Sequence, residues 1–554
     1  MTKHYLQYLT EVMSHQWNDA ALTDYNEDHE YTFGQLAVEM MRLHVLFEQL
    51  GIKPGDKIAL AGRNCANWAV AYLAIAAYEG VCVSILQDFT AEDIAHLLEH
   101  SDSELLFVGP YVWNELQHQK LPKGIKAAIS LTDWSPLYVK KGVNVPDSEA
   151  WEAAFKAKYP RPIKPEDIYF SADAEKLSLI NYTSGSTGSP KGVMLNGRSL
   201  SNNVEIGMKV LPVDPGQRLV SMLPLAHMFG QVCELLYPLC SGTHIFFLTK
   251  SPTPSILLKA MKDVQPYLVV TVPLVIEKIY KKNLDPLLSR WIIRMFWHTP
   301  IISSILKSRV KKGLRSAFGG KLRYFICGGA AINPIVEKCL MDIHFPLSIG
   351  YGMTECAPLI SFTPYNEGSK PLSCGKVLPG IMEAKILDPN EEGIGELVVR
   401  GENTMTGYYK NPQATKDSFT KDGWLRTGDL GMIDEDGFIF IKGRCKTMLL
   451  GPSGQNIYPE EIEAKINNMP FVLESLVLQQ EDNRLVALVC PDYNEVDASG
   501  LTGEQLNEYM EDARKQVNSE LAAYEQIALV KLYPHEFEKT PKKSIKRFLY
   551  TNMV

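Results

Sequence analysis

A chain of 554 residues with 45% apolar content is too long for one hydrophobic core and should divide into two or more domains. Its formal net charge of -8 supplies no global attraction for polyanions, so no nucleic acid partner is expected and any basic site must be local. The ten cysteines include no C-x-x-C pair, which argues against a zinc site or disulfide framework and fits buried thiols in a reducing compartment. In chain order, MTKHYLQYL lacks the charged-then-apolar pattern of a secretion signal. Thr32 with Gln35 forms a capping-box pattern that opens an amphipathic helix to about Leu50, where Gly51 can end it. KIAL then reads as a strand, NWAVAYLAIAAYEG as a buried helix closed by Gly80, CVSIL as a strand, Thr90 with Asp93 as a helix start, and LLFVG as a strand. This alternation predicts an α/β domain around largely parallel strands. The run WAVAYLAIAAY is far shorter than the ~20 residues of a membrane span, so a cytoplasmic location is expected. Near residue 440 the texture changes to GFIFIKGRCK, GPSGQN and a helix opened by Pro459, and the domain boundary is placed there.

Residues 182–195 read YTSGSTGSPKGVML, between the strand candidate LSLIN and the apolar GVML, so this stretch is a turn joining two strands. A Walker loop needs G-x-x-x-x-G-K-[ST] opening a helix, whereas here Pro190 precedes Lys191 and Gly192 follows it. G-x-G-x-x-G and G-x-S-x-G are also missing, which removes the main support for dehydrogenase and α/β-hydrolase readings. Read alone, the stretch is either an ordinary flexible turn or a phosphate cradle, in which glycines admit an anion, N–H groups and hydroxyls donate to it, and lysine adds charge.

The wording of this loop closely resembles the phosphate loop of the adenylate-forming superfamily, which includes acyl-CoA synthetases, luciferases and peptide-synthetase adenylation domains. SMLPLAHMFG (221–230), YFICGGAAI (324–332), GYGMTECAP (350–358), GWLRTGDLG (423–431) and IKGRCKTMLL followed by NIYPEEIE resemble the later motifs in the family's order. The resemblance implies a large N-terminal α/β domain with several sheets sandwiched by helices, residues 1–445, and a small mobile C-terminal α+β domain, residues 446–554. It implies that ATP is attacked at its α-phosphate by a carboxylate, with Mg²⁺ as cofactor, and that the acyl group then passes to a thiol, that of CoA or of an acyl carrier protein.

By resemblance, Thr183, Ser184, Gly185, Ser186, Thr187, Gly188 and Lys191 hold the outer phosphates. Thr354 reaches the α-phosphate, and Glu355 with Thr187 binds Mg²⁺, a hard cation suited to oxygen ligands. Gly328, Gly329 and Ala330 border the adenine, Tyr351 and Gly352 lie against it, and Asp429 with Arg444 holds the ribose hydroxyls. His227 is placed beside the acyl group, although read alone a histidine among apolar neighbours is more often a packed core residue. Met228 stands where amino-acid-activating relatives carry an aspartate, and an unpaired ammonium would be costly to bury, so an uncharged acyl tail is expected.

The C-terminal run Lys539-Thr540-Pro541-Lys542-Lys543-Ser544-Ile545-Lys546-Arg547 departs from the family, because serine stands where the catalytic lysine is expected. Either Lys543 takes over, or adenylation is weak and the chain is a nucleotide-binding relative, or the lysines form a solvated tail. Lys446 corresponds to the hinge. Residues 281–321 carry ten Lys/Arg and one acidic residue, Asp285, interleaved with WIIRMFW and IISSIL. They are either a solvated basic face or a peripheral contact with the inner face of a membrane, and they resemble an insertion in long-chain fatty acyl-CoA synthetases. The resulting expectation is an ATP-dependent fatty acid–CoA ligase.

Overall fold

The computed structural model describes residues 3–183, 190–250, 253–288, 295–297, 299, 302–451, 455–480, 482–541 and 544–553. The chain divides into two compact units, Met1–Glu383 with Arg400–Phe419, and Ala384–Val399 with Thr420–Val554.

Among the described residues, the first unit holds two eight-stranded sheets. One runs Gly407–Tyr408, Lys191–Asn196, Leu177–Thr183, Val81–Ile85, Lys57–Ala61, Ser103–Val108, Ala127–Ser130, Pro136–Val139. Its five middle strands, from Leu177–Thr183 to Ala127–Ser130, are parallel, with antiparallel strands at both ends. The other runs Leu359–Phe362, Leu347–Gly352, Tyr324–Cys327, Leu268–Thr271, Arg218–Ser221, His244–Phe247, Ala20–Asp24, Glu30–Thr32. It too is parallel except for its two outermost strands. Val81–Ile85 is buried at every position, as a parallel strand covered on both faces must be, which is why it reads as a continuous apolar run.

The early elements follow the sequence signals closely. Thr32 caps Phe33–Gln49 through the full capping box with Gln35, and Gly51 follows at φ 64°. Thr90 caps Ala91–His100 by accepting from the Asp93 N–H. The buried helix Ala66–Ala77 ends one step differently from expectation. Glu79, not Gly80, takes the left-handed conformation, at φ 56°, and the Gly80 N–H donates to the Ile75 carbonyl. Gly80 is nonetheless closely packed, because a Cβ there would lie 3.2 Å from that carbonyl oxygen.

In the basic stretch, the described helix Ile302–Ala317 buries Val310 and Leu314 in a core with Leu257, Phe318 and Phe325. It leaves Ile302 and Ile305 43% and 53% exposed. No described helix is long and apolar enough to cross a membrane. All ten cysteines are free thiols.

In the second unit, Leu425–Ile433 pairs antiparallel with Ile439–Arg444 and with residues 395–399 of the strand Gly395–Gly401. A further sheet of Val472–Gln479, Leu485–Pro491 and Ile527–Leu532 packs its apolar face on the helices Pro459–Ile466 and Gly503–Asn518. Pro459 opens its helix at the position expected for proline.

Candidate active site

The glycine-hydroxyl stretch leaves Leu177–Thr183 and returns as Lys191–Asn196, and the two strands pair antiparallel with Thr183 opposite Lys191. Ser184, Gly185, Ser186, Thr187 and Gly188 lie outside the described residues. Lys191 is half-buried, with Nζ 4.9 Å from the centre of the Tyr408 ring. Tyr408 arrives from far along the chain. Gly407 and Tyr408 pair with Met194 and Val193, and the Tyr409 N–H donates to the Gly192 carbonyl at 2.7 Å.

Thr354 and Glu355 occupy one buried 3-10 turn, Thr354–Cys356. The Tyr408 hydroxyl donates to Glu355 Oε1 at 2.8 Å, and the Met405 N–H donates to the Glu355 carbonyl at 2.8 Å. Burial, and next the charge of Glu355, push the Tyr408 hydroxyl well above the ordinary tyrosine range, so it remains a donor. Sequence reasoning passed over Tyr408. The only local cue is a pair of tyrosines in GYYKNP, whose link to Lys191 and Glu355 exists only once the strands are paired.

The expected adenine border is made of backbone at close quarters. Gly328 follows the strand Tyr324–Cys327, and a Cβ there would lie 3.2 Å from the Gly350 oxygen and 3.3 Å from Phe229 Cζ. Gly329 has φ 85°, and Ala330 is exposed. Tyr351 pairs with Ser361 and Gly352 with Leu359. A Cβ on Gly352 would sit 2.1 Å from the Pro358 oxygen, so only glycine allows this pairing.

His227 is half-buried and caps a short helical turn, its Nδ1 accepting from the Phe229 N–H at 3.3 Å. Its segment is held from three sides. Asn64 Nδ2 donates to the Leu223 carbonyl at 2.7 Å while its Oδ1 accepts from the Leu225 N–H at 2.9 Å. Asn181 donates to the Ala226 carbonyl at 2.7 Å. Glu234, fully buried, accepts on Oε2 from Ser221 Oγ and from the N–H groups of Met222 and Leu223, at 3.0, 3.0 and 2.9 Å. Desolvation pushes its carboxyl well above the usual range against those three donors. Oε2 of Glu234 is thus committed to the chain's own groups, while its buried Oε1 has no hydrogen-bond partner among the described residues. Met228 is wholly buried.

In the second unit, Asp429 and Arg444 are partners in the ladder, and Arg444 Nε donates to Asp429 Oδ1 at 2.9 Å. The aspartate is 7% exposed and the arginine 66%, so a buried carboxylate is paired with an exposed guanidinium. Lys446 is exposed just beyond that strand. Lys543 lies outside the described residues. Around it, the Thr540 N–H donates to the Ser544 carbonyl at 2.8 Å. Lys539 is engaged with Glu474 and Glu536 at 2.8 and 3.1 Å, and Lys546 with Glu538 at 3.6 Å.

No cluster of three or more His, Cys, Asp or Glu that could hold a metal occurs among the described residues. The Glu355 carboxylate supplies hard oxygen, which suits a Mg²⁺ ion held mainly by substrate phosphates and water rather than by a protein cage.

The AMP-binding enzyme family matches residues 9–409, and the AMP-binding enzyme C-terminal domain matches residues 447–553. The human long-chain-fatty-acid–CoA ligase ACSBG2 is 25% identical over 80% of this chain and 69% of its own length. The chloroplastic long-chain-fatty-acid–[acyl-carrier-protein] ligase AEE15 of Arabidopsis thaliana is 26% identical over 84% and 72%. In fold, the chain is similar to the anthranilate CoA ligase AuaEII in complex with anthranoyl-AMP, at TM-score 0.78 and 19% identity over 100% of this chain and 98% of that one. With residues 9–409 and 447–553 matched by its two models, this chain belongs to the AMP-binding enzymes, the adenylate-forming superfamily.

Proposed function

We propose that the protein is an ATP- and Mg²⁺-dependent fatty acid ligase that forms an acyl-adenylate and passes the acyl group to the thiol of CoA. The observation that carries this reading is the meeting of Lys191 and Glu355 on Tyr408, which gathers a cation, a carboxylate and the end of the glycine-hydroxyl loop within one unit. In the first step a carboxylate oxygen of the acid attacks the α-phosphorus, the α–β P–O bond breaks, and pyrophosphate leaves. In the second the thiolate attacks the acyl carbonyl and AMP leaves.

Thr183, Lys191 and the loop residues 184–188 bind the outer phosphates, and Thr354 reaches the inner one. Glu355 with Thr187 would hold Mg²⁺, which neutralises phosphate charge when bound. Backbone at Gly328, Gly329, Ala330 and Gly352, with the Tyr351 ring, borders the base, and Asp429 with Arg444 takes the ribose. His227 stands at the acyl wall. Met228, wholly buried, stands where amino-acid-activating relatives carry an aspartate, which favours an uncharged tail. Lys543 supplies the positive charge that Ser544 lacks. Lys446 is the hinge of the C-terminal domain, residues 446–554.

Pyrophosphate release should depend on a straight-chain fatty acid and should leave AMP; release of phosphate with ADP sinks the reading. Lys543→Ala should lower adenylate formation at least about tenfold while sparing thioester formation from supplied acyl-AMP. Lys446→Pro should spare only one of the two half-reactions. A carrier-protein acceptor is the second reading, favoured by the likeness to AEE15. Acylation of holo-carrier protein in place of CoA would select it.

A further inference from the structure

We infer that Tyr408 is a positioning residue of the nucleotide site: its hydroxyl fixes the Glu355 carboxylate and its ring seats the Lys191 ammonium, so the two charges are presented as a preset pair. This rests on the adenylate-forming reading above and adds to it a residue and a role.

Tyr408 is 8% exposed, and its place is fixed by the strands it joins. The Thr406 N–H donates to the Met194 carbonyl at 3.0 Å, and the Tyr408 N–H to Thr415 Oγ1 at 2.9 Å. Gly407, at φ 146°, has Thr415 Cγ2 only 2.9 Å from where a Cβ would stand, so the chain makes this approach with no side chain to spare. Among the described residues no ion pair joins Lys191 to Glu355; the tyrosine deals with each separately. An ammonium over the ring face keeps its N–H donors for an anion, and a carboxylate with one oxygen fixed keeps the other for a cation. A direct ion pair would instead consume both groups.

The test is calorimetric titration of the full chain with ATP, once in Mg²⁺ and once in EDTA, for wild type, Tyr408→Phe and Tyr408→Leu. Tyr408→Phe keeps the ring and should weaken binding in Mg²⁺ roughly tenfold while leaving binding in EDTA unchanged. Tyr408→Leu should weaken both. If Tyr408→Leu does not fold, as read by circular dichroism, Tyr408→Phe decides alone. Unchanged Mg²⁺-dependent affinity in Tyr408→Phe, or an equal loss in both conditions, overturns the inference. Wild-type protein that takes up no ATP overturns the parent reading and this one with it, whereas normal wild-type uptake with an unresponsive Tyr408→Phe removes only the role of Tyr408.

Discussion

At the scale of single residues, Glu234 shows how much of this site is built by groups that never need to meet substrate. One buried oxygen accepts from Ser221 and from two consecutive backbone N–H groups, and this fixes the bend that leads to His227. Removing a buried acceptor strands its donors, at about 1–3 kcal/mol for each orphaned group. Glu234→Ala should therefore lower unfolding stability by several kcal/mol, on the order of 3–5. Glu234→Gln keeps an acceptor oxygen and should cost about 1 kcal/mol. Equal losses in denaturant melts of the two variants would remove the acceptor argument. The sequence singled out the segment around His227 but not Glu234, because a glutamate seven residues after His227 announces nothing until the chain turns it back on Ser221. Tyr408 was illegible for the same reason, since its partners Lys191 and Glu355 come from distant parts of the chain. Gly352, by contrast, was legible through its motif, and its need for glycine is now steric.

At the scale of elements, local signals were read well wherever the governing contact is local. Capping at Thr32 and Thr90 lies within three residues, and both helices start where the sequence says. The end of Ala66–Ala77 was read one residue late, because Glu79 rather than Gly80 takes the left-handed turn. The helix Pro334–Asp342 carries a titratable clasp. Glu337, 2% exposed, accepts on both oxygens from the Leu372 N–H at 3.0 Å, and Leu372 sits at φ 64°. Burial pushes Glu337 from 4.5 up to about 7, opposed by that hydrogen bond. A carboxyl raised in the folded state holds its proton there longer than in the unfolded chain. Its contribution is complete below pH 4.5 and is lost as pH rises through about 7. Wild type should thus lose up to about 3 kcal/mol relative to Glu337→Gln across that interval. Parallel pH profiles of thermal midpoints for the two proteins would contradict it.

At the scale of the whole molecule, the α/β class with a smaller C-terminal part was legible from alternation and motif order, and the family's fold bears it out. The pairing of distant strands was not, because strand order is set by packing that no local pattern records. The basic stretch 281–321 belongs to this scale too. We propose that it touches an anionic lipid surface, on the strength of exposed Ile302 and Ile305 beside exposed Arg309 and Lys312. Sedimentation with anionic vesicles should exceed that with neutral ones and weaken with salt; no dependence on lipid charge would retire the idea. The short strand Gly407–Tyr408 has a consequence for biosynthesis. Thr406 reaches back 212 positions to Met194, so a nascent chain that has not yet emerged beyond this point presents Lys191–Asn196 as a bare sheet margin. Closure of this sheet margin therefore waits until late in translation, and until then the ribosome-bound polypeptide carries an unshielded β ribbon open to chaperone capture or self-association.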